Sequence, residues 1–307
     1  MLENYVNKFL QGDAVETLKT LPDNIVDCCI TSPPYFGLRD YGVKGQIGLE
    51  KTMSEYISKL VDVFSEVKRV LKPSGTLWLN LGDSYAGSGG MGSDIDKRAK
   101  IGMVIIKKYN RQGSVDGILP KNILGVPFRV AFALQDSGWI FRQDIIWHKL
   151  NPMPESVTDR CTKAHEYIFL LSKSKMYYYD YKAIQEPSIY PNDSRKSRVH
   201  SNAKDLKRIG NKLQAGDTTY PNRNKRSVWT VPTKPYKGAH FAAFPEALIN
   251  PMILAGSPVN GIVLDPFMGA GTVALASKKK QRNFIGIELN PAYIELAKER
   301  LGFFNTF

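Results

Sequence analysis

Two short stretches carry residues whose types and spacing could do chemistry. The first, "TSPPY" at 31–35, follows the apolar run "IVDCCI". Two consecutive prolines remove two backbone donors and fix two φ angles, so a sheet cannot continue through them. The stretch is therefore a rigid corner carrying a hydroxyl at Ser32, the fixed backbone of Pro33 and Pro34, and the ring of Tyr35. The second, "IVLDPFMGAGTVALAS" at 262–277, sets an apolar strand before a turn with Gly269 and Gly271, and Thr272 opens a helix. Glycine is needed where another molecule lies against the backbone, because a Cβ would fill that space. The helix N-terminus adds unpaired N–H groups. Glu288 ends the next strand, where a carboxylate can accept hydrogen bonds from both hydroxyls of a ribose. No Gly-Lys-Ser/Thr follows the glycines, so the expected ligand is an adenosine compound with little or no phosphate.

The elements that must position these turns alternate between strand and helix. Strand-like "NYVNKFLQGD" and "NIVDCCITS" flank "AVETLKTLPD", in which Val15, Leu18 and Leu21 have helical spacing. In "MSEYISKLVDVFSEVKRVLKPSG" the apolar residues Tyr56, Leu60, Val63, Phe64, Val67 and Leu71 share a helical face, and Pro73 and Gly75 are expected to end it. The strand "TLWLNLGD" follows. Residues 84–122 are Gly-rich and basic, a long loop of the kind that serves as a lid. Then come helix-like "ILGVPFRVAFALQDSG", the strands "WIFRQDIIWHK" and "HEYIFLLSKS", and, after a basic stretch, the helix candidate "FPEALINPMILAGSP". Strand "RNFIGIELN" and helix "PAYIELAKERL" close the pattern. Such alternation implies an α/β domain with a parallel sheet covered on both faces.

With 307 residues, 43% hydrophobic and 23% charged, the chain has the composition of a soluble globular protein. Its apolar runs fall short of the roughly 20 residues of a bilayer span, so a cytoplasmic protein without a membrane partner is expected. The balance of 42 Lys and Arg against 29 Asp and Glu, net +13, points to a polyanionic partner. Between Glu186 and His240 lie 12 Lys or Arg and 4 Asp or Glu, so the excess is concentrated there. Cys28, Cys29 and Cys161 form neither a disulfide framework nor a metal cluster and are expected to be buried small hydrophobes; no metal is expected.

Together, "DPFMGAG" and "TSPPY" resemble the amino-methyltransferases of DNA, which use S-adenosylmethionine and share a Rossmann-like class I domain with a mostly parallel seven-stranded sheet. Here the catalytic turn precedes the cofactor turn with the basic segment between them, which resembles the circularly permuted β group. The resemblance runs from Gly12 to about Lys149 and again from His240 to Leu301. It implies that "FIGIE" lies next to "KFLQGD", so both chain ends meet in one sheet. The expected organisation is a catalytic domain formed by 1–185 and 240–307, with a basic target-recognition insertion at 186–239.

The same resemblance implies roles. Asp265, Pro266, Phe267, Gly269, Gly271 and Thr272 are expected to hold the methionyl part of the cofactor, Glu288 its ribose, and Phe244 and Pro245 to close over its methionine end. Asp13 matches a position near the adenine, and as a residue type it equally suits a helix N-cap. Ser32, Pro33, Pro34 and Tyr35 are expected to be catalytic. An exocyclic amine is a poor nucleophile because its lone pair is delocalised into the ring. Acceptors around its hydrogens, the Ser32 hydroxyl and the Pro33 carbonyl, favour the tetrahedral nitrogen that attacks a methyl group. A base inside a duplex must be swung out, and Tyr35 can stack on it. Transfer to ring carbon would need a Pro-Cys turn, and the sequence contains none.

In the family the Ser-Pro-Pro-Tyr form goes mostly with cytosine N4 and Asp-Pro-Pro-Tyr with adenine N6, so Ser32 favours cytosine and adenine is the alternative. Trp147 and His148 suit either DNA contact or core. Arg195, Lys196, Arg198, Lys207, Arg208, Arg223, Lys225 and Arg226 are candidates for DNA contact. The implied partners are double-stranded DNA and, in restriction-modification, a cognate restriction endonuclease, with the protein a monomer or homodimer. RNA or a protein glutamine amide would be other substrates of the same chemistry. An inactive methyltransferase-fold DNA-binding regulator is the reading of another class, against which the intact "TSPPY", "GAG" and Glu288 argue.

Overall fold

The computed structural model describes residues 2–87, 107–108, 114–189, 221–233 and 245–302. These residues fall into two compact units, Met1–Asp180 with Ser227–Phe307, and Tyr181–Arg226. In chain order the elements are β1 (Lys8–Gln11), α1 (Ala14–Lys19), β2 (Val26–Thr31), β3 (Arg39–Asp40), α2 (Met53–Val70), β4 (Leu71–Leu81), β5 (Lys107–Lys108), α3 (Val126–Asp136), β6 (Ile140–His148) and β7 (His165–Ser172). After these come β8 (Glu186–Pro187), β9 (Asn222–Arg223), β10 (Val228–Thr230), α4 (Glu246–Gly256), β11 (Ile262–Asp265), α5 (Thr272–Lys279), β12 (Asn283–Glu288) and α6 (Pro291–Leu301).

The larger unit is built on one sheet in the order β1-β12-β11-β2-β4-β7-β6-β10. Every pairing is parallel except those of β7, which runs antiparallel to both β4 and β6. The first and last strands of the sequence lie side by side, with Lys8 opposite Ile285 and Gln11 opposite Glu288, as the motif order implied. The sheet has eight strands rather than seven. The extra one, β10, pairs Val228–Thr230 with Ile146–His148 at the edge. It comes from within the segment 186–239 expected as an insertion, so the insertion gives way to sheet at Ser227. A three-residue strand in a basic, Pro-containing stretch has too short a pattern to stand out.

Strand β2 is buried at all six positions, the signature of a central parallel strand covered on both faces. Helix α2 begins with a capping box, Thr52 and Glu55 each bonding the other's backbone N–H, and buries Tyr56, Leu60, Val63, Phe64 and Val67. It ends at Val70, before Pro73, because Leu71 already pairs with Val26 at the start of β4. Cys28 and Cys29 are buried in β2, whereas Cys161 is exposed, contrary to the expectation for it. Among the described residues no helix is long and apolar enough to cross a membrane, and no cluster of metal-ligating side chains occurs.

The second unit contains the antiparallel pair β8–β9. Within it Arg223 and Arg226 both donate to Glu186 Oε1, at 3.0 and 2.8 Å. The candidates Arg195, Lys196, Arg198, Lys207 and Arg208 lie outside the described residues, as do Phe244 and most of the 84–122 loop.

Candidate active site

From β11 the chain passes through α5 to β12 on one side, and from β2 through α2 to β4 on the other. The crossovers thus diverge between β11 and β2, and open α/β sheets bind ligands in the crevice beyond the strand ends at such a point. One buried hydrogen bond spans it: Thr31 Oγ1 donates to Asp265 Oδ1 at 2.6 Å. The same oxygen accepts from Phe267 N at 3.1 Å and shapes the turn after β11.

Burial pushes the Asp265 carboxyl up to about 7, even though the bonds from Thr31 and Phe267 favour its charged form. The sign for stability follows. A folded pKa above the unfolded value means that the native state binds the extra proton, so this group's contribution falls as pH rises from about 4 to about 7. Asp265→Asn keeps an oxygen for both donors and removes the titration. Denaturant unfolding from pH 4 to 8 should show the wild type losing a few kcal/mol relative to this variant, at about 1.4 kcal/mol per unit. Parallel curves would refute the assignment.

The corner itself is braced from three sides. Tyr56 of α2, fully buried, donates its hydroxyl to Pro34 O at 2.9 Å. Gly48, at φ +105°, packs so closely that an added Cβ would stand 3.0 Å from Tyr35 O. The Tyr35 hydroxyl donates to Glu166 Oε2 at 2.7 Å, with Asn80 Oδ1 at 3.4 Å, and Ser32 Oγ donates to Tyr35 OH at 3.5 Å. Asn80 Nδ2 also reaches Glu166 Oε2 at 3.2 Å, and Lys149 Nζ pairs with Glu166 Oε1 at 2.5 Å. Burial, then the neighbouring Glu166 charge, pushes the Tyr35 phenol well above its usual value, so it stays a neutral donor. Tyr56→Phe should cost about 1 kcal/mol of stability, the worth of one buried hydrogen bond. It should also slow any reaction at the corner several-fold, as stopped-flow unfolding and single-turnover assays would measure; an unchanged rate would mean that the prolines alone hold the corner.

The glycine turn lies one strand further on. Glu288 Oε2 accepts from Gly269 N at 2.9 Å and Oε1 from Asn290 N at 2.8 Å, so the carboxylate is locked at the tip of β12. Burial raises its pKa, opposed by backbone donors from Asn290, Gly269 and Leu289. Tyr41 and Tyr293 flank it, their rings edge to face with centroids 6.5 Å apart. Gly271 caps α5 at φ +72°, and a Cβ there would come 2.8 Å from Ala297 Cβ of α6. Its glycine thus admits a neighbouring helix as well as a left-handed turn. Arg300 Nη1 donates to Thr272 Oγ1 at 3.1 Å. Pro266 is buried, and Pro245 caps α4. Asp13 is the N-cap of α1, its Oδ1 accepting from Val15 N and Glu16 N. Trp147 is buried and donates to Val231 O at 2.9 Å, and His148 Nδ1 lies 3.2 Å from Thr230 Oγ1. Both side chains thus tie β6 to the segment carrying β10.

A family model described as DNA methylase, of the N6/N4 methyltransferase type, matches residues 26–299. The chain belongs to this family. Over 294 residues the methylase is 47% identical to the Type II methyltransferase M.SmaI of Serratia marcescens, covering 96% of this chain and 90% of that one. It is 44% identical over 292 residues to M.Cfr9I of Citrobacter freundii, covering 95% and 86%. Among solved structures it superposes on a DNA modification methylase of Thermus thermophilus, TTHA0409, complexed with S-adenosyl-L-methionine and described as putative in that activity, with TM-score 0.61 at 25% identity over 97% of this chain and 94% of that one. It also shares the fold of the PvuII DNA methyltransferase, described as cytosine-N4-specific, with TM-score 0.64 at 18% identity over 95% and 85%.

The methylase acts on DNA with S-adenosylmethionine as cofactor. The donor set at the crevice fits that cofactor. Glu288 and Asp265 are carboxyl groups at adjacent strand tips, suited to hydroxyl donors and to a cation, and the turn between them carries no lysine for phosphate. Sequence reasoning singled out the two turns and missed Glu166, Asn80 and Lys149. A lone Asn inside "TLWLNLGD" and a Glu opening the apolar "HEYIFLLS" are the signals that could have marked two of them.

Proposed function

We propose that the methylase transfers a methyl group to the exocyclic N4 amine of a cytosine swung out of duplex DNA. The observation that carries the choice of base is Ser32 at the first position of the rigid corner, since the Ser-Pro-Pro-Tyr form in this family goes mostly with cytosine. The cofactor, when bound, supplies an electrophilic methyl group on a sulfonium.

Ser32 Oγ and the Pro33 carbonyl accept the amine's hydrogens and favour a tetrahedral nitrogen, most strongly where the new bond is forming. The bond from Tyr56 and the close approach of Gly48 keep the corner from reorganising. Tyr35 offers its ring to the extruded base, a contact worth about 1 to 3 kcal/mol per base, while its hydroxyl, tied to Glu166, fixes the ring's orientation. Glu288 receives the ribose hydroxyls and the turn from Asp265 through Gly271 the methionyl part. Asp13 is assigned to the adenine end; as the N-cap of α1 its backbone is fixed.

The basic part of the segment expected as an insertion, 186–226, serves target recognition in this reading. Arg223 and Arg226, oriented by Glu186, together with Lys225 and the basic residues 195, 196, 198, 207 and 208, supply contacts to phosphates or guanines, so binding weakens steeply with salt. A cognate restriction endonuclease is the expected partner. Sequencing native DNA from a host that expresses the protein tests the reading. Modified positions should fall on cytosines within one short motif; modified adenines would contradict the choice of base. Unmodified host DNA despite well-folded protein would favour an inactive DNA-binding fold.

A further inference from the structure

The corner does not end at Tyr35. Hydrogen-bond donors point in one direction through it: Ser32 Oγ to Tyr35 OH at 3.5 Å, then Tyr35 OH to Glu166 Oε2 at 2.7 Å. Glu166 is an unusual residue to find there. It sits near the start of β7, opposite Trp147 in the β6 pairing, with a side chain only 15% exposed. Three elements converge on its carboxylate: Asn80 from β4, Lys149 from the end of β6, and Tyr35 from the turn after β2. Lys149 is itself fixed, its ammonium 4.6 Å from the centre of the Trp147 ring. The space is also held open for this arrangement, because a Cβ on Gly82 would come 2.7 Å from Tyr35 Cε2 and 3.3 Å from Glu166 Cδ. A packed aromatic alone would need none of this. A carboxylate this far from water costs free energy that its partners must offset.

We propose that Glu166 takes up the proton released by the target amine, passed to it through the Ser32 hydroxyl and the Tyr35 phenol. The proposal rests on the assignment of Ser32 to the amine made above. The proton moves as follows. After methylation the amine nitrogen is cationic and strongly acidic. It gives one proton to Ser32 Oγ and keeps the electron pair of the broken N–H bond. Ser32 passes its own proton to the Tyr35 oxygen, and Tyr35 passes its proton to Glu166 Oε2. Nothing is oxidised or reduced, and both hydroxyls end as they began. Glu166 returns the proton to water when the product leaves, and Lys149 stays paired with its other oxygen throughout. The Ser32 to Tyr35 separation is long for a hydroxyl pair, and such bonds tighten when a substrate fills the site. The arrangement gives a serine corner what an aspartate corner has in its own side chain: a carboxylate able to receive the amine's proton.

Tyr35→Phe is the deciding variant, because it keeps the ring and removes the relay's oxygen; it also removes the ring's tie to Glu166, so the isotope effect and not the rate alone is read. Single-turnover methyl transfer to duplex DNA should slow by about tenfold or more, and the solvent deuterium isotope effect of the wild type should shrink. The isotope effect should shrink in Glu166→Gln as it does in Tyr35→Phe. The two substitutions combined should cost no more than either alone, as members of one chain do. Equilibrium binding of cofactor, and the fluorescence of a duplex carrying 2-aminopurine at the target position, should match the wild type in Tyr35→Phe. Because Glu166→Gln leaves Lys149 without a counter-charge, Glu166→Gln with Lys149→Met serves if the single variant folds poorly. A wild type that methylates DNA and a Tyr35→Phe variant with the same rate and isotope effect would overturn the path and leave the functional reading standing. A wild type that transfers no methyl group would overturn both.

Discussion

Glu288→Gln should raise the dissociation constant for S-adenosylmethionine by about 100-fold if, as proposed, Glu288 receives the ribose hydroxyls. Both carboxylate oxygens accept a backbone N–H, from Gly269 and from Asn290, and a carboxylate offers further lone pairs for ribose hydroxyls. Two hydrogen bonds from ribose hydroxyls to a charged acceptor are worth roughly 1.5 to 3 kcal/mol each before entropy, and losing most of that gives about two decades in affinity. A glutamine amide also turns its NH2 toward one of the two backbone donors, so the turn loosens and the melting temperature should fall by a few degrees. Titration calorimetry with S-adenosylmethionine and with S-adenosylhomocysteine should show the same loss for both, since the ribose is common to them. Wild-type affinity in a folded Glu288→Gln variant would remove Glu288 from the cofactor site.

Gly82→Val leaves the cofactor site intact and reduces methyl transfer by about a hundredfold or more. Gly82 follows β4 and lies directly under the Tyr35 ring, where the first added carbon would already overlap Cε2 at 2.7 Å. Tyr35 cannot simply swing aside. Its hydroxyl is tied to Glu166 and its carbonyl lies against Gly48, so the ring must give up either its bond or its seat. A displacement of about 1 Å at a reacting centre costs on the order of 10²-fold in rate. Calorimetry should return the wild-type dissociation constant for the cofactor while single-turnover transfer collapses. Retained transfer would show that the seat of Tyr35 does not matter to the reaction.

Much of this was legible in the sequence because it was written in short, local patterns. Strand, glycine turn, helix, strand and acid gave β11, α5, β12 and Glu288 in order, and the double proline ended β2 where the structure ends it. The pairing of β1 with β12 followed from the order of the two motifs. Glu166, Asn80 and Lys149 were not legible as a set, since they come from three strands or strand ends and meet only because β7 runs antiparallel between β4 and β6. Periodicity also misplaced the end of α2: Leu71 continues the apolar face of the helix, but pairing with Val26 draws it into β4. Gly271 shows a third limit, since its sequence context suggests a ligand while its Cβ direction points at Ala297.

The proposed presentation of an extruded cytosine's amine by the corner "TSPPY" is the step on which the choice of base and the proton path both depend. The most direct measurement incubates purified protein with unmethylated duplex DNA of high sequence complexity and S-adenosylmethionine, digests the DNA to nucleosides and separates them by chromatography with mass spectrometry. The expected product is N4-methylcytosine, reduced by at least about tenfold in Ser32→Ala; N6-methyladenine in its place, or full activity without the Ser32 hydroxyl, would contradict that role for the corner.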